Sequence, residues 1–279
     1  MSYFLIWLIS FISLIPSLSW AFDYHFDGRF RWDNRYFIDS PTGFKELDNT
    51  LELRLGGNGQ LTHRENWKLD YEILLDARYS DGPSEQMKFI RNFDVSTFRG
   101  WLRLDKDKWR VRVGRQQILF GAGMLFRPLG FFDNRLISSA FPQTIGVDSL
   151  RFSYFSNDTT TLQGWLVPAK LNSRFLFGGR WEGLVNNLEA GLTMQYSPVS
   201  DLDKLPNIDL ELMQVGYHFK GEREIGFWSE GRFDFERDFS STAIRAEVVF
   251  GIDYTFNFGE GLHILMEYFL STKDQKNLQ

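Results

Sequence analysis

The feature that most constrains this chain is an alternation of apolar and polar side chains that returns in segment after segment. In the stretch FDYHFDGRFRWD, residues 22–33, every even position holds an aromatic residue or glycine, and every odd position holds Asp, His or Arg. Successive side chains of a β-strand point to opposite faces, so this strand would have one aromatic and one charged face. A single such strand would also fit the edge of a water-soluble β-sandwich. The fold class can therefore be predicted only from how often the pattern recurs along the chain.

The same alternation continues in WKLDYEILLDARYS, residues 67–80, and in STAIRAEVVFGIDYTFNF, residues 241–258. These predicted strands are much longer than the roughly five or six residues usual in globular sheets. The further segments that follow the rule are 47–61, 93–105, 109–118, 147–156, 159–167, 173–182, 187–197, 208–219, 224–236 and 261–271. The sequence therefore predicts about 13 strands, with no convincing amphipathic helix between them.

The connections between these strands alternate in length. Short links are predicted at 63–66, 106–108, 157–158, 182–186, 220–223 and 259–260. Mostly longer ones lie between them at 34–46, 81–92, 121–146, 168–172, 198–207 and 237–241. Short turns on one side and long loops on the other are typical of transmembrane β-barrels, whose short side is periplasmic. We therefore predict an all-β fold, a transmembrane antiparallel up-and-down β-barrel with its aromatic face toward lipid and its charged face toward a lumen.

The first 21 residues, MSYFLIWLISFISLIPSLSWA, predict a secretory signal peptide. Pro16 interrupts the apolar stretch, and Ser19 and Ala21 suit a cleavage site before Phe22. A retained membrane anchor is the alternative, because residues 1–4 contain no Lys or Arg. Export would leave residues 22–279 as a barrel in the bacterial outer membrane. Its expected partners there are outer-membrane lipid, lipopolysaccharide and the barrel-assembly machinery.

The predicted strand count is odd, whereas bacterial single-chain barrels have an even number of strands. The last predicted strand is followed by STKDQKNLQ, residues 271–279, which has the composition of an outer loop. Either one strand has been miscounted, or the complete barrel contains further strands, about 14 to 18 in all.

Composition excludes several other classes of function. A net charge of −5 argues against nucleic acid as a partner. The chain has no Cys and four scattered His residues, which give no spacing for metal ligands. No nucleophile lies next to a base in the sequence, so we expect neither an enzyme nor a cofactor.

The lumen-facing positions carry two blocks of charge. The basic block consists of Arg103, Arg110, Arg112, Arg151, Arg174 and Arg180. The acidic block follows it in the chain and includes Glu189, Glu230, Asp234, Glu247, Asp253 and Glu267. If these twelve residues line a pore, a basic wall and an acidic wall would create a field that sorts polar solutes. The alternative is a ladder of cross-strand salt bridges that fills a narrow barrel.

The longest predicted loop, residues 121–146, is too apolar to extend freely into water. Long ordered loops are often functional, and this one could fold into the barrel and narrow it. Arg127, Asp133 and Arg135 would then be the constriction residues. A lid at the outer rim, or a contact with a neighbouring subunit of a homo-oligomer, is the alternative.

The stretch VRVGRQQILFGAGMLFRPLGFFDN, residues 111–134, resembles a strand and loop of Gram-negative outer-membrane porin-like proteins related to alginate-export barrels. That family carries a G-R-Q-x-x-x-W-G stretch followed by an N-P-x-D-like loop. The residues that carry the resemblance are Gly114, Arg115, Gln116, Gly121 and Pro128. Residues 248–269 are also similar to a late hairpin of the group.

The chain departs from the family pattern at two points. Phe120 stands in place of the tryptophan, and RPLG replaces the N-P-x-D step, so no substrate is carried over. The resemblance implies an outer-membrane porin-like channel. Together with the composition of the loop 121–146, it predicts passive passage or export of small polar or charged solutes through a lumen that this loop narrows. The alternative is a non-conducting barrel with a surface-binding or structural role.

Overall fold

The computed structural model describes residues 23–37, 46–64, 66–83, 89–133, 144–168, 174–198, 212–236 and 245–272. Within these ranges the chain forms thirteen strands in one antiparallel sheet, hydrogen-bonded in sequence order from β1 to β13. They are β1 (Asp23–Phe37), β2 (Glu46–Arg64), β3 (Trp67–Pro83), β4 (Phe89–Lys106), β5 (Trp109–Gln116), β6 (Val147–Asn157), β7 (Thr160–Pro168), β8 (Phe175–Val185), β9 (Leu188–Ser197), β10 (Leu212–Glu222), β11 (Gly226–Glu236), β12 (Arg245–Phe256) and β13 (Leu262–Ser271). The predicted all-β, up-and-down order is confirmed. In the same ranges, no helix has the length and hydropathy needed to cross a bilayer.

The two faces of the strands differ as the sequence alternation predicts. Phe26, Phe30 and Trp32 of β1 are 58%, 68% and 64% exposed, whereas His218 and Glu230 are 2% and 0% exposed. This distribution is the reverse of a water-soluble sandwich, in which the hydrophobic effect buries the large apolar side chains. A large exposed apolar surface marks contact with a membrane or with another protein.

The chain divides into two compact units, which are described separately. Unit 1 comprises Met1–Asp107 and Gly114–Gln116, and unit 2 comprises Lys108–Val113 and Gln117–Gln279. In unit 1, β1 to β4 pair in long continuous registers, with irregularities between Gln60 and Thr62 and between Leu74 and Leu75.

Ion pairs connect neighbouring strands on the polar face of unit 1. Arg54 on β2 makes a two-pronged contact with Asp76 on β3, with Nε–Oδ1 and Nη2–Oδ2 distances of 2.5 and 2.7 Å. Arg103 on β4 donates to Asp70 on β3. These pairs follow from the register, which places each arginine directly opposite its carboxylate. This part of the sheet therefore has the cross-strand pairing considered as the alternative to open walls of charge.

In unit 2, an apolar core forms on the face that is polar elsewhere. Ile118, Phe120, Leu129, Phe132 and Trp165 are all at most 7% exposed and pack together. Four partly buried residues surround them: Phe131, Val147, Val167 and Leu176. The segment after β5 supplies most of the core, and the ends of β6, β7 and β8 nearest the long loops supply the rest. Burial in this core accounts for the apolar residues Leu129, Phe131 and Phe132 of the predicted loop, whereas Leu125 stays 69% exposed.

The strand boundaries differ slightly from the predicted ones. β5 ends at Gln116, two residues before the predicted end at 118, because Ile118 and Phe120 turn into the core just described. β12 covers Arg245–Phe256, so it ends two residues before the predicted end at 258, and the predicted residues 241–244 lie outside the described residues.

Candidate functional site

The segment from residue 117 to residue 133 has no regular secondary structure, yet it is held by specific contacts. Backbone hydrogen bonds between residues close in sequence form turns in this segment. In one of them, Gly130 N donates to Arg127 O at 2.9 Å. Arg127 Nη1 lies 3.1 Å from Asp133 Oδ2, and Thr144 Oγ1 donates to Asp133 Oδ1 at 2.5 Å. Asp133 therefore ties the two described ends of the loop together. Arg135, the third predicted constriction residue, lies outside the described residues.

Glu230 on β11 is the main anchor of this segment. Its side chain is fully buried, and its two carboxylate oxygens accept the backbone N–H groups of Gly123 at 2.9 Å and Leu129 at 2.5 Å. Gly121 approaches the same carboxylate so closely that a Cβ atom there would overlap it, and Gly121 has a φ of +87°. Only glycine satisfies both requirements without strain, which gives Gly121 a structural role.

Glu267 on β13 is a second anchor. Its carboxylate accepts three consecutive backbone N–H groups, from Met124 at 2.7 Å, Leu125 at 2.8 Å and Phe126 at 2.9 Å. Trp228 Nε1 on β11 donates to the same carboxylate at 2.8 Å. Successive N–H groups turned to one side form a concave site for an anion, and here the chain's own carboxylate occupies it. Residues 123–129 are thus fixed to the polar face of β11 and β13.

Arg232 on β11 adds a third connection. Its Nη1 donates to the carbonyl oxygen of Pro128 at 3.1 Å, and its guanidinium lies 5.9 Å from the centre of the Phe131 ring. The same guanidinium contacts Asp234 at 3.2 Å and Glu247 at 3.2 Å. Two of the predicted pore-lining acids, Asp234 and Glu247, therefore balance an arginine that itself holds the loop.

Arg180 on β8 is almost fully buried and contacts the apolar core at Phe120. It contacts Glu182 at 2.9 Å, Thr193 at 3.1 Å and a ring nitrogen of His218 at 3.1 Å, and it lies 5.0 Å from the Phe120 ring centre. The arginine thus connects three neighbouring strands beneath the loop.

Glu182, Glu189 and His218 bring their ligand atoms within 4.8 Å of one another, a grouping that could hold a cation. Sequence spacing did not predict it, because the three residues come from three different strands. The guanidinium of Arg180 already places a positive charge against Glu182 and His218, and this charge opposes cation binding.

A chain of hydrogen bonds through two glutamines crosses the polar face of unit 2 and ends on a carboxylate. Trp165 Nε1 donates to Gln195 at 3.0 Å, Gln195 donates to Gln214 at 2.9 Å, and Gln214 donates to Asp234 at 3.0 Å. The two glutamines are 3% and 6% exposed. Sequence reasoning missed them because it considered only charged residues, although both occupy polar positions of the alternation.

The other predicted residues lie on or beside their expected strands. Arg174 is exposed next to the start of β8, and Arg112 is half-buried on β5. Four of the predicted pore-lining residues contact neighbouring side chains. Arg110 lies 5.0 Å from the centre of the Phe155 ring, and Arg151 donates to Gln163. Glu189 lies 3.3 Å from His218, and Asp253 lies 3.7 Å from His263. Whether these side chains line a pore stays a prediction.

The motif residues at the end of β5 have structural roles in unit 1. Gly114 has a φ of +115°, and a Cβ atom there would overlap the carbonyl oxygen of Gly100. Arg115 Nη1 donates to the Thr97 carbonyl at 2.9 Å, and Gln116 is fully buried. These contacts fix the strand immediately before the loop begins.

The comparisons with known proteins give a structural likeness only. No family model matches the sequence, and no curated protein matches it. The structure is similar to that of Salmonella typhi OmpF in complex with daunomycin, with a TM-score of 0.54 and 10% identity over 90% of this chain and 78% of that one. It is also similar to Acinetobacter baumannii OccAB3, with a TM-score of 0.50 and 12% identity over 90% of this chain and 68% of that one. The fold is that of the β-barrel porins. The more specific resemblance to alginate-export barrels stays a prediction.

Proposed function

We propose that this protein is a porin-like channel of the bacterial outer membrane that passes small polar or charged solutes through a lumen narrowed by the loop 121–146. The observation that carries this proposal is the attachment of residues 123–129 to the polar face of β11 and β13 through Glu230 and Glu267. A segment bound to that face occupies space that a polar solute would otherwise use, so it would set the size of the passage.

The distribution of apolar side chains supports the membrane part of the proposal. Large apolar residues project from the outer face of β1 and of β13, where Met266 and Tyr268 are 59% and 64% exposed. A lipid environment would cover this face, and contact with outer-membrane lipid and lipopolysaccharide follows from it. We also propose that the barrel-assembly machinery inserts the protein into the membrane. A homo-oligomer would form through a part of the apolar face that contacts another subunit instead of lipid.

Charges on the polar face of the strands would set the selectivity of the channel. Arg110 and Arg112 lie on β5, which leads directly into the loop, whereas Glu230 and Glu267 are already engaged with backbone N–H groups. We therefore assign anion preference to the arginines of β5 to β8, with the acids of β9 to β13 opposing them across the lumen.

The test is electrical. The refolded full-length protein is placed in a planar bilayer under a salt gradient, beside a variant in which the segment between Gly121 and Gly146 is replaced by a short glycine-serine link. Ohmic single-channel steps in the parent, and larger steps in the shortened variant, are the expected result. Equal conductance of the two proteins would place the loop outside the passage.

The second candidate function is a non-conducting barrel with a surface-binding or structural role. The observation that favours it is the cross-strand pairing of charge on β2, β3 and β4, as between Arg54 and Asp76 and between Arg103 and Asp70. A protein that resists heat and SDS as a folded barrel, yet produces no current at any voltage, would support this second candidate.

A further inference from the structure

A cavity of about 320 Å³ lies within unit 1, on the polar face of β1 to β4. It is lined by His25, Asn58, Gly59, Gln60, Lys68, Asp70, Tyr71, Glu72, Trp101 and Arg103. Pockets for small molecules range from about 300 to 1,000 Å³, so this one suits a compact ligand. Gln60 and Lys68 flank the short connection between β2 and β3, which places the cavity near the short-turn end of the strands.

Trp101 is an unusual lining residue because it points to the polar face. The register pairs it with Glu72, while its neighbour Leu102 faces the apolar side and is 46% exposed. Trp101 Nε1 donates to Glu72 Oε2 at 2.5 Å, which fixes the orientation of the indole ring. The indole ring of Trp101 therefore lies among charged groups on the polar face, whereas most large aromatic residues of these strands lie on the apolar face.

The charges around the cavity balance. Lys68 and Arg103 are basic, Asp70 and Glu72 are acidic, and Lys68 Nζ lies 3.4 Å from Asp70. A charged ligand would compete with these internal pairs, whereas a neutral ligand can accept and donate hydrogen bonds without separating them. Asn58 and Gln60 add amide groups, so the wall offers both donors and acceptors around one aromatic ring.

We propose that this cavity binds a neutral pyranose sugar. The apolar C–H face of the ring would stack on Trp101, and its hydroxyl groups would bond to Asp70, Glu72, Arg103 and the two amides. A purely aromatic ligand would displace water from these polar groups without forming hydrogen bonds to them, which makes it a poorer fit. A neutral sugar would then be a solute of the channel proposed above. The sugar site depends on that proposed function only because the channel would make the cavity part of a lumen.

The test uses maltose, a neutral disaccharide, with the full-length protein in two assays. Maltose is titrated against single-channel current in a planar bilayer and against tryptophan fluorescence in detergent. We expect a saturable decrease in current and a saturable change in fluorescence. In the W101L variant both apparent affinities should fall by at least about tenfold, because the stacking contact is lost.

A matched control replaces a tryptophan of the same unit on the opposite face. In W32L the maltose response should equal that of the parent, because Trp32 is on the apolar side and does not line the cavity. The W101F variant keeps an aromatic ring and should retain affinity within about threefold of the parent. Heat-modifiable migration on SDS gels establishes that each variant is folded. If W101L does not fold, the single variants W101F and R103K replace it in the comparison. The R103K variant should then bind maltose more weakly than the parent does.

The two proposals fail in different ways. A channel that conducts but responds to maltose equally in the parent and in W101L, or does not respond at all, overturns the sugar site and leaves the channel intact. A protein without current that still shows a Trp101-dependent fluorescence change overturns the channel and keeps the sugar site. Tighter binding of glucuronate than of maltose would contradict the neutral class of ligand.

Discussion

Replacement of Glu230 by glutamine should release the loop from the sheet while leaving the barrel folded. The two carboxylate oxygens of Glu230 each accept a backbone N–H group, from Gly123 and from Leu129. A glutamine side chain has one carbonyl oxygen, so one N–H group keeps a neutral acceptor and the other faces an NH₂ group. The residue is fully buried, so water cannot take over the missing bond.

The size of the effect follows from these two contacts. A hydrogen bond to a charged group contributes about 1.5–3 kcal/mol, and a buried N–H group left without an acceptor costs about 1–3 kcal/mol. The substitution should therefore shift the docking equilibrium of the loop by about 3–5 kcal/mol, a factor of about 10² to 10⁴.

Amide hydrogen exchange read by mass spectrometry measures this shift directly. Peptides that span residues 121–129 should exchange faster by that factor in Glu230→Gln, while peptides from β9 and β10 should exchange as in the parent. Asp253→Asn is the matched control, because Asp253 lies on the same face and contacts His263 on the neighbouring strand. Unchanged exchange in residues 121–129 of the Glu230 variant would refute the anchoring role of this carboxylate.

Three further variants test other parts of the structure. Gly121→Ala places a Cβ atom against the Glu230 carboxylate at a positive φ, so it should destabilise loop docking by about 1–3 kcal/mol and accelerate exchange in the same peptides. Leu129→Ala empties a fully buried position of the loop core and should lower the free energy of unfolding by about 2–5 kcal/mol, measured by urea titration in detergent; a smaller loss would show that the core is loosely packed. Reversal of charge in Arg110→Glu together with Arg112→Glu should move the reversal potential under a salt gradient toward cation selectivity, and an unchanged potential would remove β5 from the conducting path.

Much of the fold could be predicted from the sequence because strand information is local. Successive side chains of a strand alternate between its faces. The pattern of residues 22–33 therefore predicts both a strand and the face on which each residue lies. The lengths of the connections then indicate the up-and-down order. The thirteen predicted strands are all present among the described residues, with ends shifted by a few positions.

The partners of the loop could not be predicted in the same way. The sequence predicted Arg127 and Asp133 as constriction residues, and it gave no sign that they pair with each other, as they do in the structure. It predicted Glu230 and Glu267 as part of an acidic wall, but it did not predict that their carboxylates accept backbone N–H groups more than 100 residues away in the chain. No periodicity reports such contacts, because they depend on how an irregular segment folds back.

The sequence by itself determined the strands, their order and the face to which each side chain points, because a period of two residues is a property of neighbouring positions. Only the tertiary structure decided which polar groups meet on that face. The joining of β11 and β13 to the loop, the glutamine chain from Trp165 to Asp234, and the cavity around Trp101 each combine residues from three or more segments. Register sets the geometry of the cavity, and packing against an irregular loop also shapes the other two arrangements. Neither is encoded in the alternation of a single strand.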